Sequence, residues 1–367
     1  MGWDEGRGNV DTAGRAGHRS GQARRTTPQT TDRPSGQWGV LAQYLLLALT
    51  WGASFLFIKI GLEGLSPGQV VLGRLSTGAV ALAVICAVTR QRLPREAAVW
   101  GHLAVVSVLL CVVPFLLFAW AEQHVTSGIA SILNATTPLM TMLVATVALP
   151  EERPTRTRLS GLVTGFTGVV LVLAPWTIHA TQAAQASEAS ISGPTMTSAW
   201  AGQLACLGAT FSYGLAFVYL RKTLAPRKLA AVPVATVQVG LGAGIMLVLS
   251  PLLAWQPTDL TPRVVAAMLA LGVVGTGLAY VWNTNIVTGW GATNASTVTY
   301  LTPLVGVVAG VLVLGEHTTW NQPLGALIVI TGIAISQDRL PALLALARKL
   351  RKRTKTDNAN AGDSYAI

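Results

Sequence analysis

Two cations, Lys59 and Arg74, stand inside stretches that otherwise carry no charge. A charged side chain in apolar sequence must pair, reach an interface or line water, so these two positions come first in any search for chemistry. Glu63 follows Lys59 by four residues, a spacing that shares one helix face, and Glu122 supplies a second carboxylate. Lys59, Glu63, Arg74 and Glu122 are expected to form one charge cluster at the outer, non-cytoplasmic end of the fold. It would be either an ion-pair network that fixes helix packing or, through Arg74, a gate or a docking point for a carboxylate. Uncharged groups of the same interest are Trp51, Ser54, Trp120, Asn134, Tyr213, Gln238, Tyr280, Trp282, Asn283 and Tyr300. An Asn or Gln facing hydrocarbon forfeits hydrogen bonds worth more than about 1 kcal/mol, so Asn134 and Gln238 must face protein or a cavity. Interhelical bonding and ligand contact both satisfy that requirement. Pro138 and Pro303 each remove one backbone donor, which makes them a hinge pair or a pair of static kinks.

Covalent catalysis lacks its usual parts. The chain has no G-x-S-x-G, no H-E-x-x-H, no paired carboxylates at membrane depth and no glycine-rich phosphate loop with its lysine. Cys86, Cys111 and Cys206 lie singly in apolar runs without metal-ligand spacing, and are expected to pack as small apolar residues. The sequence points to no enzyme, no metal and no cofactor, and its spacing carries no information about an oligomer.

The elements that position these residues follow from composition. Of 367 residues 51% are hydrophobic and 11% charged, against roughly 25% charged in a soluble domain. Val264 to Gly315 holds 52 consecutive uncharged positions, enough to cross a ~30 Å hydrocarbon layer twice at about 20 residues per crossing. Ten apolar runs are expected to be helices: Val40 to Gly61, Gly68 to Val88, Val99 to Ala121, Gly128 to Leu149, Leu159 to Trp176, Trp200 to Leu220, Val232 to Leu253, Val264 to Thr284, Ala295 to Leu314 and Leu324 to Ser336. The expected fold is an all-α integral membrane protein. With the N-terminus cytoplasmic, 23 of the 26 Lys and Arg fall in inside segments, leaving Arg263 outside and Lys59 and Arg74 in the membrane. That asymmetry places both termini in the cytoplasm. The net charge of +11 therefore reflects orientation and contact with anionic headgroups, with no need of nucleic acid. Residues 1–37 are too poor in large apolar groups to order, 177–198 read as a polar outer loop, and 339–367 form a basic tail. Leu343, Leu346, Ala347 and Leu350 share one helical face in that tail, which suits a helix lying on the cytoplasmic leaflet.

The chain is also internally duplicated. Pro138-Leu139 through Glu151 repeats as Pro303-Leu304 through Glu316, and Ala130-Ser131 repeats as Ala295-Ser296 at the same offset. Trp120 with Val125-Thr126 matches Trp282 with Val287-Thr288, and Trp51-Gly52 with Lys59 matches Tyr213-Gly214 with Arg221. Collinear matches in one order divide the chain into repeats at 38–176 and 199–338. Each holds five crossings, and because five is odd the second copy must enter from the opposite side, giving two inverted five-helix repeats.

On these residues the chain resembles the drug/metabolite transporter superfamily, in particular its ten-helix EamA-type members. The likeness is carried by Trp51-Gly-Ala-Ser-Phe55, Arg74 and the blocks Pro138 to Glu151 and Pro303 to Glu316. It implies transport of small organic metabolites, amino-acid-like or drug-like, frequently export across the plasma membrane. An inverted pair of bundles suggests alternating access to a central cavity. No Asp or Glu occupies the middle of a run, which points to facilitated diffusion or exchange over a buried carboxylate relay. The competing readings are a channel, a structural membrane protein and, least, an intramembrane enzyme.

Overall fold

A computed structural model of the chain describes residues 34–149, 155–174, 196–227, 229–291, 295 and 297–337. Among the described residues the long helices are, in order, α1 Pro34–Gly61, α2 Pro67–Val88, α3 Ala97–Ala121, α4 Ser127–Ala148, α5 Arg156–Leu173, α6 Met196–Thr223, α7 Ala231–Leu253, α8 Pro262–Trp290, α9 Val298–Leu314 and α10 Asn321–Ser336. No strand occurs among the described residues. The first eight contain stretches long and apolar enough to cross a membrane, while α9 and α10 are apolar but shorter, at 17 and 16 residues. The tail before Pro34, most of the 177–198 loop, Glu151 and the basic tail with its expected surface helix lie outside the described residues.

Connector residues start the helices. Ser66 caps α2 in a reciprocal capping box with Gln69, and Pro67 occupies a first-turn position where no N–H is needed. Thr126, Thr155 and Thr261 cap α4, α5 and α8 through their hydroxyls. Large apolar side chains such as Val84, Val147, Val248, Leu252 and Leu312 are exposed, as a lipid-facing surface requires.

Three helices depart from regular α geometry at mid-depth. α3 widens into a π-helical turn at Val108–Val112, immediately before Pro114, and α8 does so over Ala270–Leu278. α4 breaks between Asn134 and Thr137, one residue before Pro138. Pro138 has no N–H for the Asn134 carbonyl, and the Thr137 hydroxyl donates to that carbonyl instead, at 2.7 Å. α9 runs through Pro303 without a break, yet the same substitution operates: Thr302 Oγ1 donates to the Thr299 carbonyl at 3.1 Å.

Helix pairs pack through small residues. A Cβ at Gly332 of α10 would strike the Gly165 backbone of α5, and one at Gly168 would come within 2.6 Å of Val329 N. Gly52 of α1 admits Val305 of α9 in the same way. Of the run Gly240, Gly242 and Gly244, only Gly242 meets another helix, at Ser107 of α3; the other two face open space, because successive even positions rotate around α7. One buried cluster joins α3, α4, α5, α6 and α10 around Leu133 and Ile333, and a second joins α1, α2, α3, α7 and α8 around Leu75 and Leu271. Cys86, Cys111 and Cys206 are buried free thiols.

Candidate functional site

Between these clusters lies a cavity of about 790 Å³. Trp51, Ser54, Arg74, Asn134, Pro138, Tyr213, Tyr280 and Asn283 line it. Trp120, Gln238, Trp282, Tyr300 and Pro303 do not. Trp120 is half-exposed and meets the His124 ring edge to face, with centroids 4.5 Å apart. Trp282 packs with Tyr44, Leu47 and Trp290 beside Trp51. Gln238 and Tyr300 stand one contact away from the wall: Gln238 Nε2 donates to Tyr280 Oη at 3.3 Å, and Tyr300 Oη donates to the lining Gln337 Oε1 at 2.8 Å.

Arg74 is held by weak partners. Its Nε donates to Thr276 Oγ1 at 3.3 Å and its guanidinium sits 3.8 Å from the centre of the Phe115 ring. Among the described residues no carboxylate lies within salt-bridge distance of it. Thr276 belongs to the π-helical turn of α8 and Phe115 follows that of α3, so the two irregular turns flank the cation. Arg158 and Arg221 also line the cavity, which has no Asp or Glu among its described lining residues. The wall thus offers the Arg74 cation, aromatic faces at Trp51, Phe118 and Tyr213, and hydroxyls at Thr137 and Thr302. The chemistry of such a wall suits a small molecule with an anionic group and an apolar part.

The other three members of the expected charge cluster take separate partners. Glu63 pairs with Arg263 at 3.3 Å, not with Lys59. Lys59 Nζ donates to the Glu122 and Val125 carbonyls, capping the turn that ends α3. Glu122, one residue beyond α3, is fully buried, and neither carboxylate oxygen has a hydrogen-bond partner. Burial pushes its carboxyl well above the usual carboxylate range, with Lys59 opposing, Glu316 adding to the rise and Arg74 opposing. Spacing also gave no hint of Glu316 as a site residue. Its carboxylate accepts from Ser127 N at 2.8 Å, Ser127 Oγ at 3.0 Å and Gly128 N at 3.2 Å, at the N-terminus of α4. Lys59 and Glu316 therefore clamp the turn between α3 and α4 from both sides, far from the Arg158 and Arg221 end of the cavity. The threonine preceding each repeated proline was the available signal for Thr137 and Thr302; Thr276 and Phe115 left none.

The profile of the EamA-like transporter family matches residues 37–174 and 200–336, nearly all the described helices. The chain belongs to this family. An EamA-like protein is a transporter of small molecules, and the several membrane-length helices make this one a multi-pass membrane protein. The chain is 24% identical to a probable amino-acid metabolite efflux pump of Salmonella typhimurium, over 80% of this chain and 92% of that one. It is 25% identical to a probable terminal-alkyne amino-acid exporter of Streptantibioticus cattleyicolor, with the same coverage. An uncharacterized transporter of Bacillus subtilis, YdfC, is 24% identical over 81% of this chain and 90% of its own. One crystal structure aligns with 85% of this chain and 99% of its own at a TM-score of 0.54 and 17% identity, a likeness of fold alone.

Proposed function

We propose that this EamA-like transporter exports small amino-acid-like metabolites across the plasma membrane by alternating access between two inverted five-helix halves, α1 to α5 and α6 to α10. The observation that carries the reading is the cavity: Arg74 lines it beside Trp51 and Tyr213, and its described partners are only the Thr276 hydroxyl and the Phe115 ring. A substrate carboxylate would meet Arg74 while its side chain lies against Trp51 and Tyr213. The names of the Salmonella and Streptantibioticus relatives point to the same substrate class.

Packing supports the two-fold relation. Exchanging each helix with its counterpart five places on turns the α1–α9 contact into α6–α4, α2–α8 into α7–α3 and α1–α8 into α6–α3, while α2–α7, α4–α9 and α5–α10 map onto themselves. Every one of these pairs is a contact in the bundle. The π-helical turns of α3 and α8 and the Thr137-Pro138 and Thr302-Pro303 pairs obey the same exchange. The basic connectors favour both termini in the cytoplasm. The basic tail would rest on anionic lipid, and neither nucleic acid nor a cofactor enters the scheme.

The test has two parts. Extracellular amino acids and their derivatives are compared between cells overproducing the protein and cells lacking it, and the enriched compound is then followed by counterflow into proteoliposomes. Saturable counterflow supports a carrier; linear flux without counterflow indicates a channel, and none at all a scaffold. Tags at the two termini that report opposite sides of the membrane would overturn the inverted arrangement.

A further inference from the structure

The transport scheme leaves one buried ionisable group unused. Glu122 is 0% exposed and both of its carboxylate oxygens lack a hydrogen-bond donor. An ionised carboxylate so placed loses its hydration without a replacement, whereas the neutral acid needs far less solvation. The groups that face it from each packed element are already committed. From α1, Lys59 Nζ is held on the Glu122 and Val125 carbonyls and makes no salt bridge to the Glu122 side chain among the described residues. From α2, Arg74 is engaged with Thr276 and Phe115. The segment after α9 brings Glu316, a second negative charge whose own oxygens are satisfied by Ser127 and Gly128. α6 contributes the buried Cys206 thiol. On its own segment His124 is turned away onto Trp120. Among the described residues no group donates a hydrogen bond to the Glu122 carboxyl.

We propose that the Glu122 carboxyl is a proton-binding site, filled when the Lys59 and Glu316 clamp is closed and emptied when it opens. Opening admits water. The carboxyl O–H then breaks, its electron pair stays on the carboxylate, the proton passes to water, and Lys59, released from the two carbonyls, becomes the counter-ion. Closure takes one proton back from the same side. Acid on that side therefore favours the closed bundle, so substrate-driven opening is linked to one proton per molecule. The proton site stands on burial and geometry alone; only its link to opening rests on the alternating-access reading above.

The full chain in lipid nanodiscs is examined by infrared spectroscopy at neutral pH for the C=O stretch of a protonated carboxyl, which an ionised carboxylate lacks. The band is expected in the wild type, absent in Glu122→Gln and unchanged in Glu96→Gln, an exposed control. A wild type without the band, or a band that survives Glu122→Gln, overturns the site. If Glu122→Gln does not fold by circular dichroism, Glu122→Asp must shift the band, and an unshifted band overturns the site equally. For the link to opening, Gly128→Cys is placed in a chain whose three native cysteines are serine, and its labelling by a membrane-impermeant thiol reagent is followed against pH. Labelling is expected to rise several-fold toward alkaline pH and to become insensitive to pH when Glu122→Gln is added. Flat labelling in the parent refutes the linkage. Because the infrared band needs no substrate, it persists even if no transport is found, so failure of the proton site and failure of the export reading are distinguishable.

Discussion

The Glu316 carboxylate accepts the backbone N–H of Ser127 at 2.8 Å and its hydroxyl at 3.0 Å, across 189 residues of sequence. A side chain that follows α9 thus completes the first turn of α4, replacing partners that the helix lacks within itself. Hydrogen bonds to a charged group are worth about 1.5–3 kcal/mol, so this contact is a substantial part of what fixes the start of α4.

Glu316→Gln keeps the shape and removes the charge. Loss of ~1.5 kcal/mol raises the open population by roughly tenfold. The check is labelling of Gly128→Cys in the cysteine-free background, which should increase by about that factor while surface expression holds.

Arg74 combines a charge with a planar face on Phe115. Arg74→Gln should abolish transport of a carboxylate-bearing substrate at normal expression. Arg74→Lys should retain part of it, since the charge remains but the stacked plane is lost. Transport by Arg74→Gln at the parental rate would remove the cation from substrate recognition.

The α5–α10 contact predicts opposite fates for two glycines. Gly332→Ala drives a methyl into the Gly165 backbone and should cost at least ~2 kcal/mol, read as lost expression or a lowered melting temperature in detergent. Gly240→Ala meets nothing within 4 Å and should be neutral or stabilising, by up to about 1 kcal/mol through helix propensity.

Thr137 and Thr302 each donate to the carbonyl that the next residue, a proline, leaves without its helical partner. Replacing either by Val should cost about 1 kcal/mol in thermal unfolding. In counterflow assays the double variant should be slower than the sum of the singles if the two helices move as a pair.

Folding raises the Glu122 pKa above its ordinary value near 4.3. A carboxyl raised on folding contributes its full stability below the unfolded pKa and loses it as pH rises through the folded one. Melting temperature should therefore fall toward alkaline pH in the wild type. Glu122→Gln should flatten that slope, which differential scanning fluorimetry across the neutral range would detect.

Much of the fold is legible in the residue order because hydrocarbon offers no partner for a bare peptide group. Each run must close its own backbone bonds, so the helices from α1 to α10 begin and end near apolar boundaries and capping residues such as Ser66, Thr155 and Thr261. The repeated Thr-Pro pairs and the basic connectors are equally local, and they can be read without knowing which helices touch. Trp51, Ser54, Arg74, Asn134, Tyr213, Tyr280 and Asn283 stand out for the same reason, as polar or amphipathic groups that hydrocarbon rejects. Which partner each of them meets is not local. That Trp282 packs beside Tyr44, that Glu63 meets Arg263 instead of Lys59, and that no described group donates to the Glu122 carboxyl depend on helices far apart in the chain coming together. Burial and electrostatic partnership are properties of that approach, so the cavity, its clamp and its isolated carboxyl take shape only when the bundle closes.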